Sequence, residues 1–256
     1  MIDPQASIDS SATLAEGVSV GPFSVIGADV HIGPDSWIGP HVVINGPTRI
    51  GTGNRVFQFA SLGEIPQDMK YQGEASELVI GDGNTIREYC TINRGTSLDR
   101  GVTTVGNGNW IMAYVHIAHD CQVGDHVILA NGTTLGGHVR IENHAILGGF
   151  TLVHQFCSIG AYAFCGGGTV LTRDLPPYVI ASGNRAKPHG LNKEGLKRHN
   201  FDPLAIRALR KAYMLLIKSK KVDDKIRTEL TVLGQQYPEV ARFIRFIEQS
   251  ERGVLR

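Results

Sequence analysis

From Ile8 to Leu62 an aliphatic side chain returns at every sixth position: Ile8, Leu14, Val20, Ile26, Ile32, Ile38, Ile44, Ile50, Val56 and Leu62. An amphipathic helix brings apolar residues back at intervals of three and four, and a half-buried strand at two, so neither accounts for a strict six. Six is the period of a parallel β-helix, in which each hexad lays down one short face and three hexads complete a triangular coil. The aliphatic side chains point inward and stack into a column that no single hexad could bury alone. Gly21-Pro22, Gly33-Pro34 and Gly39-Pro40 fall at the expected corners, where a permissive or pre-set φ is needed.

A polar excursion over 63–79, containing IPQDMKYQGEAS, interrupts the pattern, which resumes in phase at Ile80, Ile86 and Ile92. A second excursion, 97–104, shifts the phase. From Val105 the hexads run on through Ile111, Ile117, Val123, Leu129, Leu135, Ile141, Leu147, Val153, Ile159, Cys165 and Leu171, and stop at Arg173-Asp174-Leu175-Pro176-Pro177. Long ordered loops in a compact fold are usually functional. The spacing therefore predicts a mainly β chain: a β-helix over 1–186 with two protruding loops, then an α-helical domain over 187–256. In the latter, Ile206, Leu209, Tyr213, Leu216 and Ile217 form one apolar face opposite Arg207, Arg210, Lys211 and Lys218. Further helices are expected over 223–235 and, opened by Pro238, over 239–249. This segment is too short for a large core of its own and is expected to pack on the solenoid or on a neighbouring copy.

Composition narrows the function. With 42% apolar residues and a net charge of +1, the chain lacks the charge of a nucleic-acid or polybasic membrane binder. Cys90, Cys121, Cys157 and Cys165 form no CxxC pair, the N-terminus MIDPQASID lacks the features of a signal peptide, and no apolar run spans a bilayer. Reduced thiols and a cytoplasmic location are expected.

One region departs from the polar monotony: YVHIAHDCQVGD, LGGHVRI and TLVHQFCSIG. Stacked coils place residue n beside n + 18 at the strand spacing of about 4.8 Å. His119 then lies beside Gly137 and Gln155, Asp120 beside His138, and Gly136 beside His154. A glycine against His119 leaves room for a substrate and exposes a backbone N–H, as an oxyanion site requires. An imidazole is suited to take a proton from a hydroxyl or amine, with Asp120 orienting the ring. Three histidines meeting around zinc is a rival reading; γ-class carbonic anhydrases do this on the same kind of solenoid. Their histidine pair is spaced five apart, whereas His116 and His119 are spaced three. His31, His41, His126 and His144 read as ordinary surface histidines.

The stretches NRVFQFASLGE, QDMKYQGE, IREYCTINRGT, HIAHDC, LVHQFC, PPYVIASGN, NKEGLKR and the closing RGVLR resemble one family across nearly the whole chain: the UDP-N-acetylglucosamine O-acyltransferases that open lipid A biosynthesis. The resemblance implies a homotrimer of left-handed parallel β-helices with sites in the clefts between subunits. It implies transfer of a 3-hydroxyacyl group from acyl carrier protein to the 3-position of the UDP-linked sugar. No cofactor is implied beyond the phosphopantetheine carried by the acyl donor. By position, His119 resembles the general base, Asp120 its partner and Gly137 the oxyanion donor. His116, His138, His154 and Gln155 resemble pocket residues, and Gln67, Asp68 and Lys70 acyl- and sugar-contacting ones. Asn192, Glu194 and Arg198 resemble nucleotide-contacting residues, although from the residues alone they read as a capped, charged helix start. Gly167 holds the family's acyl-chain ruler position, and a glycine there implies a chain of about fourteen carbons by analogy with members carrying glycine; turning a corner within Gly166-Gly167-Gly168 is its other reading.

Two positions depart from the family pattern. TIHRG reads TINRG, placing Asn93 near the sugar site, and the double arginine at the nucleotide site reads Arg198-His199. Because some members acylate a 3-amino sugar, N-acylation is an alternative activity; a non-catalytic hexapeptide scaffold is another. The carrier protein is acidic as a class, which makes Lys197, Arg207, Arg210, Lys211, Lys218, Lys220 and Lys221 docking candidates.

Overall fold

The computed structural model describes residues 1–97, 99–219 and 223–256. The hexads wind into a left-handed parallel β-helix whose three sheets hold nine, eight and ten strands among the described residues. Each coil gives one short strand to each sheet. The regular register is eighteen residues, as in Ser7↔Val25, His116↔Thr134 and Ile146↔Phe164. The aliphatic column forms the core: Val20, Ile26, Ile32, Ile38, Ile44, Ile50, Val56 and Leu62 are all buried, each side chain contributing about 1.5–3 kcal/mol. Ile8 and Leu14, at the open end, are only partly covered. A second inward column lies two residues earlier in each hexad. It includes Ser24, Ser36 and Asn54, whose polar atoms bond neighbouring coils, as in Ser24 Oγ to the Gly39 carbonyl at 2.7 Å, and Thr48, whose hydroxyl bonds the Asn45 carbonyl of its own coil.

The corners differ from the sequence reading in one respect. The left-handed φ is taken mainly by residues with side chains, among them Phe23, Asp29, Asp35 and His41 at 55–59°. Gly21 and Gly33 stand two residues earlier and serve a different need: a Cβ there would lie 2.7 and 2.6 Å from backbone of the next coil. The prolines between them cost nothing. At that register position the ladder uses no N–H, since Gly21 and Phe23 donate to neighbouring coils and Pro22 has nothing to donate.

Both excursions leave the same corner, between the first and second sheets, on successive coils. Ile50 pairs with Ile80, a register of thirty, and Ile86 with Ile111, a register of twenty-five, so twelve and seven residues are inserted relative to eighteen. The loop bounds differ from the sequence reading: the first loop shortens to 65–76 from 63–79, and the second shifts to 94–101 from 97–104 without changing length. Their flanks pair with one another: Ser61–Glu64 lies along Thr91–Asn93, and Glu77–Ile80 along Val102–Val105.

The expected division at 187 also moves. Lys187–Leu191 folds back antiparallel on Val179–Ser182 and joins the third sheet, so this segment belongs to the solenoid rather than to the helical domain. The helices are α1 (Lys193–Arg198), α2 (Pro203–Tyr213, extended by a π-helical turn over Met214–Lys218), α3 (Asp224–Gln236) and α4 (Pro238–Glu248). Leu209, Tyr213, Leu216 and Ile217 are buried and continuous with the solenoid core, while Arg207, Arg210, Lys211 and Lys218 are exposed. Lys220 and Lys221 lie outside the described residues. The Arg242 guanidinium ties α4 to Glu142 of the solenoid at 3.3 Å. The tail then closes the last coil: the Asp174 N–H donates to the Gly253 carbonyl, and the Asp174 carbonyl accepts from the Leu255 N–H. No helix among the described residues is long and apolar enough to cross a membrane.

Candidate active site

His119 and Asp120 form the corner directly above the two loops. Asp120 takes the left-handed position (φ 59°), which turns its carboxyl inward, fully buried. One oxygen accepts the Thr96 N–H at 2.9 Å; the other accepts the Thr96 hydroxyl at 2.7 Å and His119 Nδ1 at 2.8 Å. Burial pushes this carboxyl up, but the hydrogen bonds from His119 and Thr96 outweigh it and hold it below the usual carboxylate range. A carboxylate only accepts, so His119 carries its proton on Nδ1 and keeps the Nε2 lone pair for a substrate proton.

Gly137 lies against the His119 ring: a Cβ there would sit 2.7 Å from its Cε1 and Nε2. No other residue allows the imidazole this position. Gly137 also occupies the register of Pro22, Pro34 and Pro40, where the ladder leaves the N–H unused. It is buried and its N–H has no partner among the described residues. A buried unpaired N–H costs free energy unless something accepts it, so its place beside a basic nitrogen suits a developing oxyanion.

His138 stands above Asp120. It is edge-on to His119 (centroids 5.1 Å apart, 90°) and stacked on Phe156 (4.4 Å, 9°), with Nδ1 2.9 Å from Asp99. Gln67, Asp68 and Lys70 of the first loop, with His119, His138 and Gln155, line a single cavity of about 1190 Å³ that runs along the second sheet past Gln122 and Arg140.

Other expected site residues lie elsewhere on the chain. His116 projects from the first sheet, where its Nδ1 meets the Thr91 hydroxyl at 2.7 Å and burial pushes its pKa down. His154 is exposed, with Nδ1 3.0 Å from the Gln155 carbonyl. Asn93 is buried and its amide donates to the Ile65 carbonyl at 2.9 Å, so it pins the first loop and does not reach the cavity. Asn192 caps α1 through Gly195 N–H and donates to the Tyr162 carbonyl at 3.0 Å; Glu194 pairs with Lys197, also at 3.0 Å. Those two residues have the capped-helix geometry. Arg198 has no ion pair among the described residues, and the His199 ring packs against His144 and Tyr162 at 4.8 and 5.0 Å. His144, read as ordinary surface, thus adjoins an expected nucleotide residue.

Gly167 separates from its neighbour. Gly168 turns the corner (φ 68°), while Gly167 has no left-handed φ and a Cβ there would meet only the Gly149 carbonyl, at 3.5 Å. Nothing in its own chain requires glycine at 167. Thr96 and Asp99 escaped the sequence reading, because the seven-residue insertion puts them outside the n + 18 rule.

His119, Asp120 and His138 are close enough to suggest a cation site. Asp120, however, already accepts three donors, and a metal would have to displace them. The thiols are equally unsuited to covalent chemistry. Burial raises Cys90, Cys121 and Cys165 to about 12 and Cys157 to about 11, so all stay protonated.

What remains is a base and an N–H donor on a hexapeptide solenoid, the equipment of a direct acyltransferase. The bacterial transferase hexapeptide model matches 102–137, and the second domain of UDP-N-acetylglucosamine O-acyltransferase matches 174–255. Acyl-(acyl-carrier-protein)–UDP-N-acetylglucosamine O-acyltransferases of Halorhodospira halophila and Alkalilimnicola ehrlichii are 54% and 56% identical over 100% of this chain and 99% of theirs. The crystal structure of the Moraxella catarrhalis UDP-N-acetylglucosamine O-acyltransferase superposes with a TM-score of 0.96 at 46% identity, and an Acinetobacter baumannii structure with 0.95 at 45%. Each covers 100% of this chain and 99% of the other. The chain belongs to the UDP-N-acetylglucosamine O-acyltransferase family.

Proposed function

We propose that this protein transfers a 3-hydroxyacyl chain from acyl carrier protein to the 3-hydroxyl of UDP-N-acetylglucosamine, the first step of lipid A biosynthesis. The carrying observation is the His119–Gly137 contact, which sets a basic nitrogen beside an unused backbone N–H. His119 Nε2 takes the proton of the sugar hydroxyl as its oxygen attacks the thioester carbonyl. The Gly137 N–H holds the tetrahedral oxyanion. Collapse expels the phosphopantetheine thiolate, which recovers the proton from His119, leaving an ester and a free thiol. Asp120 stabilises the imidazolium in between. Lys70 on the loop side supplies positive charge for the acceptor, and no cofactor or metal takes part.

Gly167, Arg198 and His199 do not line the His119 cavity of their own chain. This separation supports a homotrimer in which each site is completed by a neighbour, with Gly167 bounding an acyl groove for about fourteen carbons and Arg198 meeting the diphosphate. Phe150 and Leu152 are exposed, at 72% and 46%, with Leu152 on the first sheet beside Val170, and they fit an apolar interface. The named relatives are O-acyltransferases, which supports the hydroxyl sugar as the acceptor. With carrier protein and UDP-sugar as substrates, the enzyme works in the cytoplasm.

The test is product identification by mass spectrometry. Purified protein, 3-hydroxyacyl carrier protein and UDP-N-acetylglucosamine should give the 3-O-acyl sugar nucleotide, and sedimentation should give three times the 27.7 kDa chain mass. No transfer, or an acylated cysteine on the enzyme, would overturn the reading.

A further inference from the structure

The second loop reaches the reacting corner twice. Thr96 holds Asp120 through its N–H and its hydroxyl, and Asp99, three residues on, holds His138 Nδ1 at 2.9 Å. We propose that Asp99 is a positioning residue: it fixes His138 as the Nδ1–H tautomer, so that the corner holds a second histidine–carboxylate pair with Nε2 turned toward the His119–Asp120 pair. This role rests on the acyl-transfer reading only for its kinetic consequence.

The geometry leaves His138 little choice. Phe156 covers one ring face at 4.4 Å, and the His119 ring stands edge-on at 5.1 Å. Nδ1 faces the Asp99 carboxylate, which can only accept, and this places the proton on Nδ1. Nε2 then lies 3.9 Å from the nearer Asp120 oxygen, too far for a hydrogen bond to it. It has no partner among the described residues, in the cavity that His138 lines. There it accepts from, or when protonated donates to, a polar group of the acceptor sugar beside His119. A ring held only by Phe156 would be free to flip and exchange its nitrogens. Outer partners that fix a histidine's tautomer are worth about 10- to 100-fold where they have been removed from metal sites, and a similar loss is expected here.

Asp99 is partly exposed and the loop keeps its Thr96 anchor, so Asp99→Ala should fold. Asp99→Asn retains a carbonyl acceptor for Nδ1–H and is the conservative control. The experiment combines 15N NMR of His138 with steady-state kinetics on the full-length protein. In the wild type, neutral His138 should show Nδ1–H; in Asp99→Ala it should move toward Nε2–H, with kcat down at least tenfold and KM for the carrier protein within twofold. Asp99→Asn should restore both tautomer and kcat to within about threefold. A wild-type ring in the Nε2–H form, or an unchanged tautomer and kcat in Asp99→Ala, overturns the assignment. If the wild type shows the Nδ1–H ring but transfers no acyl group, the functional reading fails while the positioning of His138 stands.

Discussion

Replacing Asp120 by Asn changes one atom and should remove most of the activity. Thr96 N–H can only donate, so the amide oxygen of the new residue must take its place there, at the 2.9 Å contact. Its NH2 group then faces the Thr96 hydroxyl and His119 Nδ1, now at 2.7 and 2.8 Å from an acceptor. The hydroxyl can rotate to accept. The ring can comply only by giving up its Nδ1 proton and protonating Nε2, the nitrogen needed as base. A base in the wrong tautomer loses its general-base contribution, about 10²- to 10⁴-fold in kcat. Stability should fall far less: a charge-assisted hydrogen bond of about 1.5–3 kcal/mol is lost, offset in part because no charge remains buried, for a net of about 1–2 kcal/mol. The assay is kcat by quantifying the acylated sugar nucleotide, with 15N NMR of His119 and a urea melt. A kcat within threefold of wild type, or a His119 still protonated on Nδ1, would refute the reasoning.

Gly137→Ala places a methyl 2.7 Å from the His119 ring, so the imidazole must swing away; kcat should fall at least a hundredfold, about what a 1 Å misplacement costs, in a protein that still melts cooperatively. The Cβ of Gly167→Leu would meet only the Gly149 carbonyl, at 3.5 Å, so Tm should be nearly unchanged while preference shifts to shorter acyl chains in competition assays. His116 and His144 are kept neutral, His116 by burial then His119, His144 by burial then His199 and His126. With folded pKa values below the unfolded imidazole's, about 6.5, their contribution is full above that pH and lost as pH falls through the folded values, so Tm should drop between pH 7 and 5 and drop less in His144→Phe. Iodoacetamide should leave native turnover intact, because all four thiols are buried and protonated; inactivation that tracks alkylation would contradict direct transfer.

The solenoid was legible because its signal is a strict period: one aliphatic residue per hexad reports a core position directly, and Ile26 or Ile117 could be placed without other knowledge. The His119, Gly137 and Gln155 stack was legible for the same reason, since the coils after Val105 repeat without insertion. Where chain is inserted, the arithmetic stops. Thr96 and Asp99 reach Asp120 and His138 from a loop whose path no spacing rule gives, and the ends of both loops were misjudged because Glu64, Glu77 and Val102 pair as strands despite leaving the hexad pattern. Lys187–Leu191 was assigned to the helical domain because the hexads stop before Pro176-Pro177, but Val179–Ser182 offered an edge for it to pair with. Asn192 could be read as a cap from its place before a helical pattern. The reason for glycine at 167 is the instructive case: sequence allowed a corner or an open groove, and backbone geometry assigns the corner to Gly168.

Above all, the account requires that His119 Nε2 take the acceptor's proton. The most direct measurement is kcat/KM for 3-hydroxyacyl carrier protein and UDP-N-acetylglucosamine in the wild type and in His119→Ala, with circular dichroism and sedimentation to establish that the variant is folded and assembled. The account predicts a folded variant with turnover reduced at least a thousandfold; a folded His119→Ala protein that transfers the acyl chain at a rate near wild type would contradict it.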